Sequence, residues 1–121
     1  MPQFDHEKLN VYQASIAFVS WATAIVETVP KRHPVRNQLE RASTSVPLNI
    51  AEGNGKYTSA DRCRFFDIAR GSALECSACL DVMVASKLTE PDVAEQGKRQ
   101  LIEIVSMLVG LVRSNSSTRT F

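Results

Sequence analysis

SADRCRFFDIARGSALECSACLDVMVASKL, residues 59–88, contains no proline, and its apolar residues return at helical intervals. Phe65, Ala69, Ser72, Cys76, Cys79 and Met83 follow one another at steps of four, three, four, three and four. That is the spacing of a helix packed along a coiled-coil-like seam. Thr58 or Ser59 can cap its start, and Asp61 falls in the first turn, where a carboxylate meets the positive end of the helix dipole. A long helix with one apolar stripe cannot bury it alone. It needs neighbours, and the rest of the chain supplies three.

Upstream, Gly53-Asn54-Gly55 marks a break. Before it, Leu39, Ala42, Val46, Asn49 and Ile50 predict a helix from about Pro34 to Glu52, with Pro34 in the first turn, where its missing N–H is harmless. Pro47 lies inside that span and predicts a bend rather than a stop, because the periodicity continues on both sides. Pro30 and Pro34 bracket a turn, and Leu9, Tyr12, Ile16, Val19, Thr23 and Val26 predict a first helix from about Glu7 to Val29. Downstream, Pro91 opens a fourth helix over about Glu90 to Ser114, with Thr89 and Asp92 spaced as a capping box. Four long segments with short connections give an all-α chain: an antiparallel up-down four-helix bundle, one domain over residues 1–121, with a polar tail at about 114–121.

The 121 residues suffice for one core without staples. Lys and Arg number 14 against 13 Asp and Glu, a formal charge of +1, so any nucleic-acid role must rest on local patches rather than on an overall field. The longest apolar stretch, Leu101 to Val112, is interrupted by Glu103, Ser106 and Gly110 and falls short of a membrane span. The N-terminus has neither a basic nor an apolar signal region. Cys63, Cys76 and Cys79 are an odd count at helical spacing, which points to free thiols and a cytoplasmic setting.

The fourth helix has two adjacent apolar rows, Leu101, Ile104, Leu108, Leu111 and Ile102, Val105, Val109, Val112, and the third adds Phe66, Ala73 and Leu80 beside its seam. A bundle helix needs only one stripe of roughly 100°. The surplus predicts a homo-oligomer, with Phe66, Leu101, Ile102, Val105, Leu108, Val109 and Val112 at its interface.

Catalytic and metal chemistry find little support. Cys76-x-x-Cys79 lies mid-helix on the core seam, whereas zinc needs four ligands and redox pairs favour a helix N-terminus. His6 and His33 fall at opposite ends of one helical hairpin, no Glu-x-x-His occurs, and Gly53-Asn54-Gly55 lacks the Lys-Ser/Thr of a phosphate loop. Glu52 and Glu75 could suggest a carboxylate pair. A hairpin turning near Lys56 sets Glu52 opposite Ala60 and Glu75 opposite Asn37, about 22 Å apart along the axis, against the roughly 5–10 Å of glycosidase pairs. The same register brings Glu75 to Arg41 as an internal ion pair and Glu52 within reach of Tyr12 or the loop amides. Arg41, Ser45, Asn49, Glu52, Ser72 and Glu75 are therefore read as structural polar anchors. Basic residues gather at the two ends: Lys31, Arg32, His33, Arg36 and Lys87 at one, Lys56, Arg62, Arg64 and Arg113 at the other. Of these, Lys31, Arg32, Arg36, Lys56, Arg62 and Arg64 are the candidate nucleic-acid contacts.

Two segments carry a resemblance: Ser45-Val46-Pro47-Leu48-Asn49-Ile50-Ala51-Glu52-Gly53, and Phe65-Phe66-x-Ile68-Ala69-x-Gly71-Ser72-Ala73-x-Glu75. With Phe4, Leu9, Val11 and Tyr12, over roughly Phe4 to Val112, the chain resembles the four-helix-bundle family of proteins encoded in intervening sequences of bacterial 23S ribosomal RNA. That family includes the accessory variability proteins of diversity-generating retroelements. The resemblance implies a homopentameric barrel with a central channel and a proline inside the second helix. For the retroelement branch it implies binding to a reverse transcriptase and to nucleic acid. The expectation is a non-enzymatic assembly or accessory scaffold without cofactor, small-molecule substrate or membrane. The alternative is a nucleic-acid-binding accessory factor of a reverse transcriptase, which a reverse-transcriptase gene next door would favour.

Overall fold

The computed structural model describes residues 3–116, and every regular element in them is helical. A short 3-10 turn, Asp5–Lys8, leads into α1 (Asn10–Val26), α2 (Pro34–Asn54), α3 (Ser59–Ala85) and α4 (Pro91–Ser114). Each helix packs on its chain neighbours, and α1 also packs on α4, so the four stand as a square with α2–α3 and α1–α4 on opposite sides. Residues 117–121 of the expected polar tail lie outside the described residues, while Ser114 still belongs to α4.

The core runs through the middle of the square, filled by Phe18, Leu39, Ile50, Phe66, Leu80, Met83, Ile104 and Leu108, all without solvent exposure. It includes the whole expected seam of α3 except Phe65 and Ser72, which are half-buried, and adds Cys63, Phe66, Ala73 and Leu80. The first helix is rotated from its expected face. Val11, Ser15, Phe18, Ala22 and Val26 point inward, while Ile16 and Thr23 are exposed and Val19 half-buried. The aromatic surface decides this: Phe18, tilted against Trp21 with ring centroids 5.7 Å apart, buries more apolar area than Ile16 or Val19 can. The 3-10 turn accounts for the later start. The Phe4 amide donates to Glu7 Oε2 at 2.8 Å, locking residues 5–8 before α1 begins.

The ends follow local chemistry. His33 caps α2 by accepting the Val35 amide on Nδ1 (3.2 Å), with Pro34 following, and α2 runs unbroken past the buried Pro47. Pro47 has no N–H for the Ser43 carbonyl one turn earlier. Thr58 caps α3 by accepting the Asp61 amide at 3.1 Å. At the far end of α3, Lys87 adopts φ 59° and the Leu88 amide donates back to the Met83 carbonyl (2.8 Å), a Schellman closure that ends the helix before the expected Leu88. The expected Thr89 capping box is absent. Glu90 occupies the cap position, and Asp92 accepts from the adjacent Val93 amide instead.

Two glycines carry close approaches. A Cβ on Gly97 would lie 2.5 Å from the Trp21 ring and 2.9 Å from Leu80, and one on Gly53 would lie 2.9 Å from the Phe66 ring. These positions let α1, α3 and α4 meet at one end and α2 and α3 at the other.

Candidate functional site

Polar side chains from two helices converge on the α2–α3 groove. Ser72 Oγ of α3 donates to Ser45 Oγ of α2 at 2.8 Å, and the Asn49 amide donates to both the hydroxyl and the carbonyl oxygen of Ser45, each at 2.9 Å. Ser45 thus receives two donors on one hydroxyl. Neither an amide nor a hydroxyl takes up a proton near neutral pH, so this chain of contacts orients Ser45 without activating it. Two concave spaces flank it. One of about 210 Å³ is lined by Gln38, Arg41, Ala42, Ser45, Ser72 and Glu75; the other, about 460 Å³, by Glu40, Arg41, Thr44, Ser45, Leu48 and Asn49.

These contacts revise the expected anchors. Ser45, Asn49 and Ser72 are half-buried, and Arg41, Glu52 and Glu75 are exposed. Arg41 and Glu75 line one cavity, but the internal ion pair expected between them is not formed among the described residues. Glu52 pairs with Lys56 at 3.5 Å on its own helix and meets neither Tyr12 nor the loop amides. The hairpin register is shifted by about one turn, because α2 continues through Gly53 and Asn54 before the chain reverses. With Ser45 against Ser72, Glu52 and Glu75 stand about 15 Å apart along the axis, still far beyond a catalytic carboxylate pair.

The basic candidates divide sharply. Arg62 is a brace: it donates to the Asn54 carbonyl (2.7 Å), the Lys56 carbonyl (3.3 Å), and the side chains of Asn54 and Asn115. Arg36 donates to the Val29 carbonyl at 2.5 Å and faces Glu40 at 3.6 Å. Both hold loops in place and are half-buried, unlike the exposed cations beside them. Lys31 and Arg32 are exposed on the α1–α2 turn. Lys56 and Arg64 both lie over the Phe65 ring, at 4.9 and 5.2 Å, next to a fully exposed Tyr57 that the sequence reading passed over.

The expected interface residues divide as well. Phe66, Leu101, Leu108 and Val112 are buried in the subunit's own core and cannot meet a second copy. They stand inward because the apolar rows of α3 and α4 close on each other within one chain. Ile102 is 66% exposed, and Val105 and Val109 are half-buried. The exposed apolar set continues on α3 with Ile68, Leu74 and Val82, and on α2 with Leu48. Two further residues were seen in the sequence only as a break in an apolar stretch and as part of a motif. Gly71 and Gly110 sit inside α3 and α4, and a Cβ at either would meet nothing within 4 Å. The signal available was a helix-weakening residue in the middle of an apolar pattern.

The three cysteines are free and buried. Burial, reinforced by the neighbouring Cys79 and Glu75, pushes the Cys76 thiol from 9.0 up to about 12, and burial raises Cys79 as well. Both stay protonated and unreactive near neutral pH. His6 stacks on Phe4 and packs edge-on against Tyr12, so each histidine has a structural contact of its own. Among the described residues no three His, Cys, Asp or Glu side chains are grouped to hold a metal ion, and no helix is long and apolar enough to cross a membrane.

No curated protein matches the chain. Its structure is similar to the crystal structure of a protein of unknown function from the S23 ribosomal protein family of Bacteroides thetaiotaomicron VPI-5482. That likeness has a TM-score of 0.80 and 21% identity over 85% of this chain and 98% of the other. At that identity the likeness speaks to the fold, a four-helix one in both. The family model for 23S rRNA-intervening sequence proteins matches residues 7–110, nearly the whole of the four helices and their connections, and the chain therefore belongs to that family.

Proposed function

We propose that the protein is a non-enzymatic assembly subunit, whose copies stand side by side in a ring and act as an accessory scaffold through the surface the ring creates. One observation carries this reading: Gly71 and Gly110, interior to their helices, have open space where a side chain would be. A glycine there costs its helix roughly 0.5–1 kcal/mol relative to alanine. Inside the subunit nothing offsets that cost. Close approach of another backbone does, and Ile68 and Leu74 are exposed about one turn to either side of Gly71. The ring size of five follows from the family resemblance. Light scattering should return a mass close to five times the 13.4 kDa of one chain. Gly71→Trp should lower that mass while the helical content stays unchanged. A monomer at micromolar concentration overturns the reading, and a different multiple overturns the pentamer alone.

A second reading, the nucleic-acid-binding accessory factor of a reverse transcriptase, is favoured by the loop at the α2–α3 turn. There Tyr57 is free to stack on a base, and Lys56 and Arg64 are held in place by Phe65. With a formal charge of +1, affinity would come from repetition of this loop around the ring. Fluorescence anisotropy with a labelled single-stranded oligonucleotide at about 50 mM salt tests it. Tyr57→Ala and Arg64→Glu should each weaken binding by at least about tenfold, and absence of any wild-type signal excludes direct binding.

A further inference from the structure

We propose that the cavity between α2 and α3 binds a small, uncharged α-amino acid as its zwitterion, with the carboxylate on Arg41 and the Ser45 hydroxyl and the ammonium on Glu75. Such a site lies within one subunit and is independent of assembly.

The fold sets one cation and one anion at nearly the same height without joining them. Ser45 meets Ser72 across the two antiparallel helices, so Ala42 of α2 stands level with Glu75 of α3, and Arg41 lies about 1.5 Å along the axis from that level. Packed helices stand roughly 8–10 Å apart, so two long side chains at one height reach a single small molecule between them. Arg41 and Glu75 line the same cavity of about 210 Å³, and among the described residues neither makes an ion pair or a side-chain hydrogen bond. Glu40, the acid next to Arg41 in sequence, faces Arg36 instead, at 3.6 Å. Each charge is therefore open to a partner from outside the chain.

The hydroxyl chain supplies a third group. A serine hydroxyl has one hydrogen and two lone pairs. Ser72 and Asn49 take both lone pairs of Ser45, and its hydrogen has no acceptor among the described residues. Ser45 is half-buried and borders the cavity, where a donor left unpaired costs free energy that an incoming acceptor recovers. A lone anion is drawn to Arg41 and repelled by Glu75, and a lone cation the reverse. A ligand carrying both charges is attracted at both ends. An α-amino acid carries them on one carbon, and a charged side chain would add net charge to a lining whose two charges cancel. Ala42 contributes only a methyl to the wall. A volume of about 210 Å³ is the liquid share of roughly seven waters, which suits a molecule the size of alanine. Ser45 has no base beside it, so the ligand is held and not turned over.

Saturation-transfer NMR tests the site, with L-alanine, propionate and ethylamine each titrated to about 10 mM, because ligands this small bind weakly. Propionate lacks the ammonium and ethylamine the carboxylate. Alanine should saturate, with a dissociation constant at least about tenfold below that of either analogue. Arg41 and Glu75 are both exposed, so Arg41→Gln and Glu75→Gln should leave the circular dichroism spectrum unchanged. Each should weaken alanine binding at least about tenfold by removing a charge-assisted contact. No saturable alanine signal overturns the proposal. So does an analogue that binds as tightly as alanine, or an alanine affinity that either variant leaves unchanged.

Discussion

Leu108→Asp should yield no folded subunit, whereas Ile102→Asp should yield a folded subunit that no longer assembles. The two residues lie on the same helix and were expected to serve the same interface. Leu108 has no exposed surface, and Ile102 is 66% exposed. Replacing Leu108 removes about 2–3 kcal/mol of apolar burial. It also places a carboxylate with no partner among apolar neighbours, which costs several kcal/mol more or forces the group to protonate. Together these rival the whole stability of a domain this size, about 5–15 kcal/mol. At Ile102 the carboxylate stays in water, so the melting of an isolated subunit should shift by no more than about 0.5 kcal/mol. In an assembled ring the same carboxylate would be desolvated. Thermal melts followed by circular dichroism, alongside mass by light scattering, separate the outcomes. A folded Leu108→Asp subunit would show that α4 is placed wrongly. An Ile102→Asp variant with full mass would remove this part of α4 from the interface.

That contrast also marks what the sequence could and could not disclose. The four helices, the Thr58 cap, the first-turn place of Pro34 and the core positions of Cys76, Cys79 and Met83 were legible, because each depends on spacing within one segment. The face of α1 was not. Ile16 and Val19 fit a helical stripe as well as Phe18 does, and only the aromatic area settles which row turns inward. The two apolar rows of α4 were both visible, but which one the subunit keeps depends on α3, which no local pattern states. The polar residues were found as a group and misassigned in their contacts. A register slip of one turn separates Ser72 from its partner Ser45, and the turn chemistry at Gly53–Gly55 does not specify it. The basic residues show the same limit. Charge can be counted in a sequence, whereas the loop carbonyls that claim Arg36 and Arg62 come into reach only on folding.

Gly97→Val should cost about 3 kcal/mol, the upper end of what overpacking a core takes, and Gly71→Ala should stabilise the isolated subunit. Both are glycines inside helices, and from propensity alone both substitutions would look favourable. Space decides otherwise. At Gly97 the first added carbon would lie 2.5 Å from the six-membered ring of Trp21 and 2.9 Å from the Leu80 methyl, so α4 must lift from α1 or the indole must leave its place beside Phe18. The two further methyls of valine deepen the conflict. At Gly71 the added carbon meets nothing, and the helix gains about 0.5–1 kcal/mol through a smaller loss of backbone entropy. Urea melts measure both. The Trp21 contact can be isolated by a double-mutant cycle: in a Trp21→Leu background the smaller side chain clears the space, and Gly97→Val should cost at least about 1 kcal/mol less than in the wild type. If the cost is the same in both backgrounds, the indole is not what holds Gly97 to glycine, and the close packing of α4 on α1 has another origin.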